Sequence, residues 1–274
     1  MMEQYSVLMG IYKKTNPEYL KKSIDSMLSQ TVVTNDFVIV ADGELSQELE
    51  SLLKDYSTAD GNSGVFNIVR LEKNSGLGIA LRTGVFECKN RLIARMDDDD
   101  ISYPDRCENQ LKEFEREPSL DLCGGYIDEF SDDENTITSQ RRVPLTREEM
   151  LAYSRKRSPI NHVSVMFDRN TVLRCNNYSE YRLCQDVELW ARMLHEGCNM
   201  KNIPVSLVKV RFDESAYKRR KNKVNIKIMG EIWHGFYKSG YCSWFDYIKV
   251  KYTQIIVGWL PLSVIRWLYK IARK

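Results

Sequence analysis

Leu92-Ile93-Ala94-Arg95-Met96-Asp97-Asp98-Asp99-Asp100 is the stretch on which the reading of this chain turns. Its first five residues read as a strand buried on both faces, and its last four are carboxylates. Four acids in a row repel one another, so the chain gains by placing a cation among them. Oxygen ligands of this kind suit magnesium or manganese better than zinc. A solvated acidic loop is the competing reading. What favours the cation is position, because in open parallel sheets ligands sit beyond the carboxyl ends of the strands. An EF-hand loop is excluded, since Ile101 and Ser102 stand where a further oxygen ligand and a glycine are required.

Upstream of this stretch, short apolar runs alternate with helical patterns. Residues 6–11, 37–40 and 66–71 read as strands. Asn16 and Pro17 open a helix whose inward stripe is Leu20, Ile24, Met27 and Leu28; further helices are expected over 45–56 and from about Gly76. The repeated strand–helix order predicts an α/β fold, a mostly parallel, doubly wound sheet with helices on both faces. Tyr12 follows the first strand, Asp42 the second and the acidic quartet the fourth, where such a sheet binds its ligands.

Downstream the pattern is mixed. Strands are expected over 121–126, 136–143 and 162–167, and helices over 146–155 and 186–195, the last ending at Gly197. Asp186 opens that last helix, where it serves either as an N-cap or as a general base; local sequence leaves both open. Glu188, two residues on, points elsewhere.

The 274 residues carry a net charge of +2, which hides an uneven distribution. From Tyr217 onward there are 13 Lys/Arg against only Glu231 and Asp246, so an acidic body precedes a basic tail. That tail holds Trp233, Trp244, Trp259 and Trp267, four of the five tryptophans. Residues 252–265 are uncharged but too few to span a bilayer, which takes ~20 apolar residues, and they include Pro261. Flanking Lys and Arg fit an amphipathic segment lying on an anionic membrane surface; a helical hairpin packed on the body is the alternative. No nucleic-acid-binding motif accompanies the basic tail. Seven scattered cysteines and three histidines leave little for a zinc site and read as free thiols. The N-terminus shows no signal pattern, so a cytoplasmic chain is expected.

These residues resemble the inverting family-two glycosyltransferases of GT-A fold, in the branch that builds bacterial capsules, exopolysaccharides and O-antigens. The likeness runs from about Tyr5 to Arg220 through Gly10-Ile11-Tyr12-Lys13, Ala41-Asp42-Gly43 and Asn74-Ser75-Gly76-Leu77. It continues through Arg95 to Arg106 with its D-x-D core, then Pro159-Ile160-Asn161-His162 and Gln185-Asp186-Val187-Glu188-Leu189-Trp190. Gly10 and Lys13 replace the usual proline and asparagine, Ala41 the first acid of its pair, and Gln185 a common glutamate. The resemblance implies that Tyr12 and Asp42 hold the nucleotide base, with Gly76 in the same donor-binding set. Asp97 and Asp98 would contact ribose and diphosphate, Asp97 and Asp99 would ligate Mn2+ or Mg2+, and Asp186 would be the catalytic base. Asn161, His162 and Trp190 would lie on the acceptor side, with Trp190 better suited to the core. Arg219 and Arg220 would reach the diphosphate or form part of a membrane-facing patch.

The implied organisation is a GT-A catalytic domain over 1–215, with a nucleotide-sugar half to about 100 and an acceptor half after it, and a helical membrane-associating tail over 216–274. The implied reaction moves a hexose or N-acetylhexosamine from a UDP-sugar to a lipid-linked saccharide such as GlcNAc-diphosphate-undecaprenol. The protein would sit peripherally on the inner face of the cell membrane, with a homo-oligomer left open. A sugar-nucleotide pyrophosphorylase and a non-catalytic membrane-docked scaffold are the competing readings.

Overall fold

The computed structural model describes residues 2–212 and 222–272. Four strands form the parallel part of one sheet: β1 (Tyr5–Ile11), β2 (Asp36–Ala41), β3 (Phe66–Arg70) and β4 (Leu92–Met96). They lie in the order β3-β2-β1-β4, so the winding reverses at β1 and the crevice between β1 and β4 is the switch point. The crossovers are α1 (Pro17–Leu28), α2 (Gln47–Thr58) and α3 (Leu77–Glu87). Asn16 caps α1 as expected, its side chain accepting from Glu18 N and Tyr19 N.

The sheet continues past β4 through β8 (Met166–Asp168), β6 (Leu122–Phe130), β9 (Met200–Arg211) and the short β5 (Ile101–Ser102), with β7 (Ser139–Arg141) paired to β6. β8 runs antiparallel to both β4 and β6, whereas β6 and β9 pair in parallel. Helices α4 (Arg106–Arg116), α5 (Arg147–Ser154), α6 (Arg169–Arg174) and α7 (Gln185–His195) connect these strands.

Alternation along each strand sends side chains to opposite faces. Leu8, Val38, Val40 and Ile93 join α3, α6 and α7 in one core; Val7, Met9, Phe37, Ile39 and Ala94 join α1, α2 and α4 in the other. The C-terminal helices α8 (Lys223–Lys238), α9 (Trp244–Trp259) and α10 (Leu262–Ala272) follow. Trp233 and Phe236 of α8 and Val250 of α9 belong to the first core, so the inner side of the tail is part of the folded body. The expected boundary at 215/216 lies outside the described residues. None of the described helices is long and apolar enough to cross a membrane.

The structure departs from the sequence expectations in the second half. The strand expected over 162–167 is a 3-10 turn, His162–Ser164, followed by only three strand residues. Backbone N–H groups of Ser164 and Val165 turn back to Asn161 O and His162 O, which takes them out of the ladder. The strand expected over 136–143 shrinks to three residues. The twelve-residue β9 has no counterpart among the expectations; Pro204 sits in it where its register against β6 shifts.

Candidate active site

The carboxyl ends of β1 and β4 bring the first part of the site together. Asp97, Asp99 and Asp100 place one carboxylate oxygen each within 4.8 Å of one another. Asp100 is 2% exposed, and burial, then the charges of Asp99 and Asp97, raise its carboxyl well above the usual range. Three clustered oxygen donors of like charge are the donor set that a hard divalent cation takes, so the residues present fit one. Asp100 was not among the expected ligands. Asp98 is not part of this trio and accepts from the Thr15 hydroxyl.

Local structure fixes this edge. The Ser23 hydroxyl on α1 donates to Asp97 O at 2.6 Å, and Arg211 N donates to Asp100 Oδ1 at 2.8 Å. Arg106, fully buried, donates to Arg95 O at 2.7 Å and Val165 O at 3.2 Å, tying the end of β4 to the 3-10 turn.

Arg95 is the residue that sequence reading passed over. It is 1% exposed in an otherwise apolar strand, and both its terminal nitrogens donate to the Asp97 carboxylate. Its charge also reaches Asp186, Tyr178 and His162. A lone arginine inside a buried run was the available signal, since such a residue is buried only when paired.

The donor-base side is built from β1, β2 and the loop before α3. Tyr12 is 43% exposed at the mouth. Asp42 accepts from Ser75 N at 2.6 Å and Gly76 N at 2.8 Å, so its carboxylate holds the loop that would flank the base. Gly76, at φ +100, needs glycine twice over: the backbone is left-handed, and a Cβ would meet the Arg182 side chain at 2.9 Å.

The opposite wall is α7 and the turn beneath it. Asp186 is not the N-cap: Cys184 takes that place in a left-handed conformation, and Asp186 is the second residue of the helix. Its carboxylate nevertheless accepts backbone N–H bonds at the helix start, from Val187 above all. Burial raises its carboxyl above the usual range, opposed chiefly by the Val187 amide and by the Arg95 charge. His162 Nε2 lies 3.0 Å from Tyr178 Oη and its ring 5.8 Å from that of Trp190. Burial, reinforced by Arg95, holds its pKa well below the usual range, so the imidazole is neutral. Trp190 is fully buried, in keeping with a core role. Asn161 donates to Gly125 O at 2.9 Å, and its buried Oδ1 has no hydrogen-bond partner among the described residues. Arg219 and Arg220 lie outside the described residues.

A model described as glycosyl transferase family 2 matches residues 6–182. An Escherichia coli UDP-Gal:alpha-D-GlcNAc-diphosphoundecaprenol beta-1,3-galactosyltransferase is 34% identical over 97% of this chain and 95% of its own length. The amylovoran biosynthesis glycosyltransferase AmsE of Erwinia amylovora is 31% identical over 98% of this chain and 99% of its own. Among solved structures, a mannosyltransferase from Pyrobaculum calidifontis in complex with GDP-Man and Mn2+ superposes with a TM-score of 0.65 at 10% identity, covering 94% of this chain and 70% of that one. That likeness shows the GT-A fold.

Proposed function

The chain belongs to glycosyl transferase family 2, and from that premise we propose that it is an inverting, metal-dependent transferase moving a hexose or N-acetylhexosamine from a UDP-sugar to a diphosphate-lipid-linked saccharide. One observation carries the chemistry. The buried Arg95 that holds Asp97 also acts electrostatically on Asp186 at the start of α7, and Tyr178 feels both carboxylates, which supports reading the acidic trio and Asp186 as parts of one site.

Asp97, Asp99 and Asp100 would hold Mn2+ or Mg2+, which when bound supplies positive charge to the diphosphate leaving group. Asp98, oriented by Thr15, would face ribose or diphosphate. Tyr12 offers an exposed ring to the uracil, while Asp42 and Gly76 shape the loop beside it. Asp186, raised by burial, is suited to take the proton of the acceptor hydroxyl as that oxygen attacks. Attack from the wall opposite the leaving group inverts the anomeric carbon. Neutral His162 and Asn161 would bind acceptor hydroxyls.

The tail supports a membrane location. α9 and α10 expose Trp244, Phe245, Tyr252, Ile256, Trp259 and Trp267 beside Lys249 and Lys251, the composition of a surface that rests in the interface of an anionic leaflet. The catalytic body, in this reading, works on the inner face of the cell membrane.

A panel of UDP-, GDP- and TDP-sugars, assayed against a synthetic GlcNAc-diphosphate-lipid, tests the assignment. Acceptor-dependent release of UDP, with a β-linked product from an α-linked donor, is expected. Release of GDP or TDP alone, or a retained anomeric configuration, would refute it.

A further inference from the structure

A second feature stands apart from the carboxylates. A groove of about 650 Å³ opens between β6 and α5, walled by Tyr126, Val143, Pro144, Leu145, Ala152 and Tyr153. Its lining is mostly apolar, with Lys156 at the lip. Lys156 is the centre of the run Arg155-Lys156-Arg157, three exposed cations at the end of α5. Arg157 lies 5.5 Å from the centre of the Tyr153 ring, which joins the run to the groove wall.

The local charge is net positive and only partly offset by Asp246. None of the three cations forms an ion pair with a described residue, and the two nearby acids are committed elsewhere. Glu149, in the groove wall, accepts from Leu145 N at 3.0 Å and Thr146 N at 3.2 Å. Asp246, whose pKa is lowered against burial by Ser243 and then by the charges of Arg155 and Lys156, accepts from the Ser243 hydroxyl at 2.7 Å in the capping box of α9.

Two connections give the groove a direction. On one side, Trp233 Nε1 donates to Arg155 O at 2.8 Å, and the Ser154 hydroxyl bonds Tyr241, so the aromatic hairpin is anchored where the cations emerge. On the other, the chain runs from Arg157 to His162 in five residues, and Asn161 bonds Gly125, the neighbour of groove residue Tyr126. The groove therefore lies between the buried base of the C-terminal helices and the segment that carries Asn161 and His162.

We infer that this groove and the Arg155–Lys156–Arg157 run form the subsite for the lipid diphosphate of the acceptor. Three exposed cations with no ion pair among the described residues match a diphosphate, and the apolar wall beside them matches the first isoprenoid carbons of the carrier. The inference rests on the reading of the acceptor as diphosphate-lipid-linked and adds where that part of the molecule is held.

Farnesyl diphosphate is the probe, titrated calorimetrically into the full chain with UDP and Mg2+ saturating so that the donor site is filled. The triple substitution R155Q/K156Q/R157Q, at exposed positions, is expected to weaken its binding at least about tenfold, as loss of charge-assisted hydrogen bonds requires. UDP affinity stays unchanged, which also shows that the variant is folded. Ala152→Glu, which puts a carboxylate into the groove, weakens the probe as well. Unaltered farnesyl diphosphate affinity in the triple variant overturns the inference. So does a variant that keeps the probe but no longer sediments with phosphatidylglycerol vesicles, because the cations would then read phospholipid headgroups. Failure of the wild-type chain to elongate GlcNAc-diphosphate-lipid would instead refute the acceptor sugar, and leaves this binding result standing on its own.

Discussion

The rim of the sheet and the C-terminal hairpin break opposite rules of burial. At the rim, acids are drawn out of water and each is held by a partner: Asp42 by two backbone amides, Asp97 by Arg95, Asp98 by Thr15, Asp100 by the Arg211 amide. In the hairpin, large apolar side chains face water, Trp259 at 86% exposure and Phe245 at 76%. Buried charge and exposed apolar surface are both unfavourable in an isolated chain, and under the proposed function each is a place where something else binds. The difference is one of rigidity. A site that stabilises developing charge must be organised before the ligand arrives, whereas a surface that enters a lipid interface only has to present its side chains.

That contrast is most severely tested at Asp186. Asp186→Asn removes the base and is expected to lower kcat about 10²- to 10⁴-fold, read by UDP release with saturating acceptor. Its stability should not fall with it. Burial raises this carboxyl in the folded chain, so its ionisation at neutral pH opposes folding, and Asn removes that opposition. A Tm at pH 7 equal to or above wild type is therefore expected; a large drop would make Asp186 a structural residue. The same raised value fixes the sign of the pH profile: activity declines on acidification through a pKa above the ordinary aspartate value of 3.8.

Arg95→Lys comes next. Lysine keeps the charge but cannot span both Asp97 oxygens, and loss of such supporting contacts typically costs about 10- to 100-fold in metal affinity. Manganese titration should show the loss, with little change in UDP affinity measured without metal. Equal manganese affinity would reduce Arg95 to a packing residue.

The hairpin should give the smallest effect and a different one. Trp259→Ser with Phe245→Ser is expected to lower partition onto phosphatidylglycerol vesicles about tenfold, from roughly 1–2 kcal/mol of lost apolar burial. Turnover of a detergent-soluble acceptor should be unaffected. If turnover fell as much as vesicle binding, rim and hairpin would not be separable devices.

The parallel half was legible because its strands are buried on both faces: Phe37 to Ala41 is apolar without a break, and ligand residues follow where each run stops. Beyond β4 the signal weakens for physical reasons. β9 mixes Lys201, Asn202, Ser206 and Lys209 with apolar residues and bends at its register shifts, so neither a continuous run nor clean alternation announces it. His162 reads as the start of a strand because apolar residues follow it, yet the backbone bonds to Asn161 and His162 coil it into a turn. At the site, residue types pointed to the acidic quartet and left Asp186 open between capping and catalysis. They could not give Asp100 as a third donor or Arg95 as the charge acting on both Asp97 and Asp186, since both depend on how the end of β4 packs against β9 and α7.

The account stands on a divalent cation held by the carboxylates at the end of β4, and turnover in excess EDTA tests that most directly. UDP release should stop in the chelator and return when manganese is added back in excess, in wild type but not in Asp99→Asn. Full turnover in EDTA would contradict it.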